Sequence, residues 1–150
     1  MKTSRILGLV AIVLFIVSHF LPAYGDGGSG FECFKACWKM FSGDNADVLS
    51  GGWFYYSGFV IANNLFVVLA LTLFATKKYR RLRLAVSLVC FLHVLSWLVL
   101  HVLDKPQKWP SEIKIGYYLW LIAYGLLGAA HLRKEPTESL DSIPLARPIG

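Results

Sequence analysis

Charge is what this chain is short of. Its 15 basic and nine acidic residues make up 16% of 150 positions, where a soluble domain carries roughly a quarter. Those few are clustered, and four long stretches hold no Asp, Glu, Lys or Arg. A water-facing surface is thereby excluded over much of the molecule. Cysteine is also scarce, with three in all, which excludes a disulfide-stapled scaffold and leaves at most one pair. The sequence contains no phosphate-cradling Gly-rich loop, no His-x3-His pair and no carboxylate inside an apolar stretch, so the usual catalytic and metal-binding patterns are missing. It shows no internal repeat, no low-complexity tract and no inverted symmetry of the kind found in transporters.

What is present is apolar length. Hydrophobic residues make up 56% of the chain and the mean hydropathy is +0.55. The uncharged stretches run over about 6–24, 53–75, 84–103 and 115–132, each long enough to cross a bilayer as a helix of roughly 20 residues. Helix is favoured over strand because the runs are long and apolar around their whole circumference, and because a helix satisfies its own backbone in lipid. The expected fold is an all-α, integral membrane four-helix bundle. Residues 1–134 would form the four-span domain, and residues 135–150, with Pro136, Pro144 and Pro148, a mobile cytoplasmic tail.

Ten basic residues fall in the amino terminus, the second loop and the tail, and five in the other two loops. That asymmetry places both termini and the second loop in the cytoplasm of a bacterial inner membrane. Loops one and three carry six acidic residues against their five basic ones, so the net charge of +6 comes from the inner side. The basic balance then reflects topology and attraction to anionic lipid; nucleic acid is not an expected partner, since no aromatic-basic platform accompanies the second loop. A competing reading takes the first stretch as a cleaved signal peptide ending at Ala23-Tyr24-Gly25. The apolar run continuing through Phe20 and Leu21 favours a retained span.

Between spans one and two, a Gly-rich turn over residues 25–30 leads into a segment in which Phe31, Phe34, Trp38 and Phe41 fall within about 80° of one another on a helical wheel, with Glu32, Lys35 and Lys39 in another sector. A short interfacial helix over about 31–41 is expected, its aromatic face toward the outer end of the bundle. Ser42 to Gly52 is a polar turn, and a Pro-containing loop from Asp104 to Lys114 joins spans three and four.

Polar residues inside spans are costly and therefore informative. In the third span Ser87, Cys90, His93, Trp97 and His101 share one sector of about 120°, and in the fourth Tyr117, Trp120, Tyr124, Gly128 and His131 form a stripe, with Gly128 allowing close helix approach. Asn64 and His93 lie near the centres of their spans. If the two centres share one depth, Asn63 or Asn64 meets His93, Ser96 or Tyr124 in a mid-membrane polar clamp. Haem b could be held only by two His residues at one depth, a condition His19 and His101 meet; the expected cofactor is otherwise none. Cys33 and Cys37 form the one candidate disulfide. On a helix their Cα atoms lie about 6 Å apart on one face, so bridging requires the helix to distort. Membrane thiol oxidoreductases that reduce quinone also have four helices, but they use two cysteine pairs, whereas this chain has one, spaced Cys-x3-Cys instead of Cys-x2-Cys.

Four phrases, Leu21-Pro22-Ala23-Tyr24, Gly30-Phe31-Glu32-Cys33-Phe34, Ala62-Asn63-Asn64-Leu65-Phe66 and Gly116-Tyr117-Tyr118-Leu119-Trp120-Leu121, together resemble a group of small, uncharacterised bacterial inner-membrane proteins. The resemblance implies bacterial origin and four helices, and carries no activity. The expected role is a non-catalytic accessory or interaction subunit, with lipid and a protein partner or a second copy as its contacts. The alternative is a redox protein acting through Cys33 and Cys37 or through haem at His19 and His101.

Overall fold

A computed structural model describes residues 3–42, 51–75 and 79–133. The expected tail, most of the polar turn before Trp53, and Lys77 and Lys78 of the second loop lie outside the described residues. The described chain is almost wholly helical. Its elements are α1 (Thr3–Phe20), a two-stranded hairpin of β1 (Pro22–Tyr24) and β2 (Gly28–Ser29), α2 (Gly30–Ser42), α3 (Gly51–Ala75), α4 (Arg80–Asp104), the single turn α5 (Trp109–Glu112) and α6 (Ile115–Leu132). Four of these, α1, α3, α4 and α6, are long and apolar enough to cross a membrane.

The first span is four residues shorter at its end than expected, because Pro22 lacks the N–H a helix needs and restricts the residue before it. Pro22–Tyr24 instead pairs antiparallel with Gly28–Ser29. The hairpin turns through Gly25 and Gly27, both at positive φ (63° and 115°), where a side chain would be strained. Ser29 then starts α2. Its backbone N–H donates to the Glu32 carboxylate at 2.8 Å, and the Glu32 N–H donates to Ser29 Oγ at 3.3 Å, a reciprocal capping box. The same contacts hold the Glu32 carboxyl below its ordinary range, the Ser29 backbone N–H contributing most.

The most intimate helix pair is α1 with α6. The residues α1 buries are all small, Ser4, Gly8, Ala11 and Ser18, and α6 answers with Gly116, Ala123 and Ala130 among its buried positions. Small side chains let backbones approach closely, the means of helix association where lipid is as apolar as leucine. At the end bearing α2, a Cβ on Gly116 would lie 2.7 Å from the Pro22 carbonyl oxygen. Gly128, expected to be the close-approach glycine, has nothing within 4 Å of that position. Its side of α6 faces open space, so no neighbour there requires a glycine.

Aromatic packing fills the middle. Phe15 stacks on Phe66 at 4.0 Å between ring centroids, and Tyr124 meets Phe66 edge-on at 5.0 Å. Around this core, exposed leucines and valines such as Val13, Leu71 and Val89 give the long helices apolar outer faces.

At the end opposite α2, two arginines bind helix C-termini. Arg80 donates through Nε to the His131 carbonyl at 3.0 Å and through a terminal nitrogen to the Leu132 carbonyl. Arg83 donates to the Thr72 carbonyl. These carbonyls are among the last of α6 and α3, which have no partner within their own helices and carry the negative end of the helix dipole.

Candidate functional site

The expected clamp does not form as drawn. α4 begins at Arg80, four residues before the apolar run at Leu84, and this shifts its register against α3. Tyr55 meets Ser96, their hydroxyls 3.2 Å apart, and the His93 ring packs where a Cβ on Gly58 would sit, 2.5 Å away. His93 therefore lies opposite Gly58, six residues or about 9 Å along the helix from Asn64. It is held by the rings of Phe59 at 4.8 Å and Tyr55 at 5.2 Å.

Asn63 does turn inward, but its partner is Trp120, whose indole N–H donates to Oδ1 at 3.1 Å. Its own amide donates to the Phe59 carbonyl at 2.9 Å. Tyr124 lies a turn further along α6, against Phe66, and its buried hydroxyl has no hydrogen-bond partner among the described residues. Asn64 points outward, exposed, its amide donating to the Val60 carbonyl at 2.8 Å.

Below α2 lies a cavity of about 460 Å³. The roof is the face of α2 bearing Cys33, Phe34, Cys37 and Met40; α3 contributes Tyr56, Phe59 and Asn63, α4 Trp97 and His101, and α6 Tyr117 and Trp120, with His19 of α1 completing the wall. Five helices thus converge on one space. It gathers His19, Cys33, Phe34, Cys37, Asn63 and His101 from the expected site residues, and leaves out Asn64, His93 and Tyr124.

The roof is rotated from the expected aromatic face. Phe31 is exposed, with the Lys35 ammonium 4.7 Å above its ring. Phe34, Trp38, Phe41 and Trp53 form a chain of rings at 6.1, 5.9 and 6.1 Å that ties α2 to α3. The cysteines take the covered face, being small and apolar enough to sit over a void. Both are free thiols. Burial pushes both thiols up in pKa, Cys33 with help from the neighbouring Glu32 charge and Cys37 to about 11, with help from Cys33. Both are therefore protonated near neutral pH and poor nucleophiles.

At the rim, His101 Nε2 lies 3.0 Å from a Glu112 carboxylate oxygen, an ion-pair distance although the alignment is not that of a hydrogen bond. Tyr24 donates its hydroxyl proton to the same oxygen at 3.2 Å. The His101 ring is stacked on Trp97 and met edge-on by Tyr24. Burial and the Glu112 carboxylate both raise the Tyr24 pKa. The backbone fixes this cluster: Gly25 N–H donates to the Glu112 carbonyl and Lys114 N–H to the Ala23 carbonyl. Sequence reasoning missed the trio because Tyr24 lies 88 positions from Glu112 in the chain and Glu112 falls in what reads as a connecting loop, where a carboxylate attracts no notice.

An axial haem pair needs one nitrogen of each imidazole aimed into the cavity. His101 turns Nε2 to Glu112 and His19 turns Nδ1 to the Phe15 carbonyl at 2.7 Å, so each ring has one nitrogen engaged and its other nitrogen outside these contacts, as a ligating imidazole would. Among the described residues, no three His, Cys, Asp or Glu side chains converge as a metal site would require. The arrangement is suited to enclosing an apolar molecule with a few polar atoms. Comparison with family models, with curated proteins and with solved structures finds no match to this chain.

Proposed function

We propose that this chain is a non-catalytic integral protein of a bacterial inner membrane, a four-helix bundle with both termini cytoplasmic, and that it serves as an accessory or interaction subunit. One observation carries the interaction role. Asn64 presents an exposed amide on the same outward surface as exposed Ile61, Val67, Val68 and Leu71. In lipid a primary amide on such a surface is costly unless another helix supplies a hydrogen-bonding partner. The protonated thiols of the cavity favour a non-catalytic role. The test is self-association in bicelles by energy transfer between labelled copies, together with co-purification from native membranes. Asn64→Leu should weaken whichever association is found; if wild-type protein neither self-associates nor retains a partner, the role fails.

A second proposal rests on Cys33 and Cys37 lining the same cavity as His19 and His101: a membrane redox protein. A thiol count before and after reductant, with an absorption spectrum of the purified protein, decides it. Three thiols titrated in denaturant without reductant, one for each cysteine, and no Soret band would set redox aside. The topology is tested by labelling a single thiol at Ser139→Cys from the cytoplasm and at Ser111→Cys from outside.

A further inference from the structure

The cavity beneath α2 has a gradient along its depth. On α3 its wall runs from Tyr56 to Asn63, seven residues or about 11 Å of helix, and at the other side from Lys105, just past the end of α4, down to His101 and Trp97 on that helix. The shallow end carries Lys105, His101 and Tyr24, and the deep end Asn63 and Trp120. Between them the walls are rings that touch one another. Trp97 meets Tyr117 at 5.1 Å, Tyr117 meets Trp120 at 5.7 Å, and Trp120 meets Phe59 at 5.6 Å.

The deep end holds one fixed polar group. Trp120 orients the Asn63 amide through Oδ1, and Nδ2 spends one hydrogen on the Phe59 carbonyl. A primary amide has two such hydrogens, so one N–H donor is left at the bottom of an aromatic slot. An acyl chain would leave that donor unsatisfied and gain nothing from ring geometry. A flat ring gains offset or edge contacts with each wall, and an oxygen acceptor on it answers the Asn63 amide. Its second acceptor, or a tail, would point toward the rim.

The roof suits passage from the bilayer. No residue of α2 is fully buried; this helix lies over the cavity, tied to α3 by the Phe41–Trp53 contact and to α1 by Phe34 against His19, with Cys37 resting on the core. The thiols it presents are protonated and do not add readily to an electrophilic ring.

We infer that this cavity binds a flat, lipid-soluble ring carrying carbonyl oxygens, the quinone class, drawn from the outer leaflet. The test uses the full chain in phosphatidylcholine nanodiscs, titrated with a decyl-chain benzoquinone and, separately, with palmitate. Trp97 and Trp120 report through their fluorescence, and the melting temperature reports independently. The quinone should bind saturably at one per chain and raise the melting temperature. Asn63→Leu, which removes the deep donor, and Cys37→Trp, which fills the cavity from its roof, should each weaken binding at least tenfold while the apo protein still melts cooperatively. Palmitate should not compete. Saturable binding of palmitate alone, lost in Cys37→Trp, overturns the ring assignment. Quinone binding unchanged in both variants places the ring elsewhere and overturns the site, and no saturable binding of either probe overturns it as well. None of these results depends on whether Asn64 mediates association.

Discussion

Replacing Gly116 by alanine would set a methyl group 2.7 Å from the Pro22 carbonyl oxygen, 2.8 Å from that of Leu21 and 3.0 Å from that of Ser18, where ordinary contact begins at 3.4 Å. All three atoms are backbone, belonging to the turn that leads from α1 into β1, so none can swing aside as a side chain would. Overpacking of this kind costs about 1–3 kcal/mol. Alanine's helix preference over glycine returns up to about 1 kcal/mol in a helix interior, and less here, one residue after the helix begins. A net loss of about 1–2 kcal/mol is expected. Gly128 supplies the matched control. It lies inside the same helix with nothing within 4 Å of its missing Cβ, so Gly128→Ala should be neutral or stabilise by up to about 1 kcal/mol. Thermal or SDS unfolding of the two variants side by side in one detergent reads the difference. Equal effects, or Gly128→Ala the more damaging, would refute the close packing of α1 against α6.

Three further outcomes are expected. In the wild-type chain, alkylation of Cys37 by iodoacetamide at pH 8, followed on its own peptide by mass spectrometry, should run roughly a hundredfold slower than for an ordinary thiol, because a pKa of about 11 in place of 9.0 leaves about 0.1% as thiolate instead of about 9%. The rate should climb about tenfold per pH unit and level only near pH 11, and a plateau near pH 9 would contradict the partial burial of Cys37 in the roof. Trp120→Phe, which removes the bond to Asn63, should lower stability by about 0.6 kcal/mol and by no more than about 1.7; a loss of several kcal/mol would mean the indole does more than donate. Arg80→Gln should lower stability by about 1 kcal/mol, measured by the same unfolding assay, and a neutral result would mean the carbonyls of His131 and Leu132 are satisfied without it.

The long helices were legible because an uncharged apolar run of some 20 residues is costly anywhere but in lipid, and α2 because aromatic and charged residues alternate at helical spacing. Depth was not legible. Matching Asn64 to His93 assumed that spans begin where charge ends, yet Arg80 and Arg83 are helical and move His93 opposite Gly58. Hydropathy marks where lipid begins but says little about where a helix nucleates. The box formed by Ser29 and Glu32 was readable as Ser-x-x-Glu and was overlooked in a Gly-rich stretch. The grouping of Tyr24, His101 and Glu112 could not be read, since a hairpin and a one-turn helix, each held by a few backbone hydrogen bonds, bring it about. The direction α2 faces was equally hidden. Its aromatic stripe suggested Phe31 as a covered residue, whereas contact with Trp53 fixes Phe41 and the rotation follows from that.

Arg80 ties the beginning of α4 to the end of α6 across 51 positions. Until the last helix arrives, its guanidinium has only water or lipid phosphate to bind, and the final carbonyls of α6 have no partner beyond their own helix. The closing of the molecule at that end therefore waits for α6. A chain cut before Ile115, where α6 begins, would retain three apolar helices and lose the fastening between its two halves, leaving α3 and α4 as a hairpin free to slide against α1. Arg80, which in sequence looks like one more positive charge, thus also makes closure at that end depend on α6.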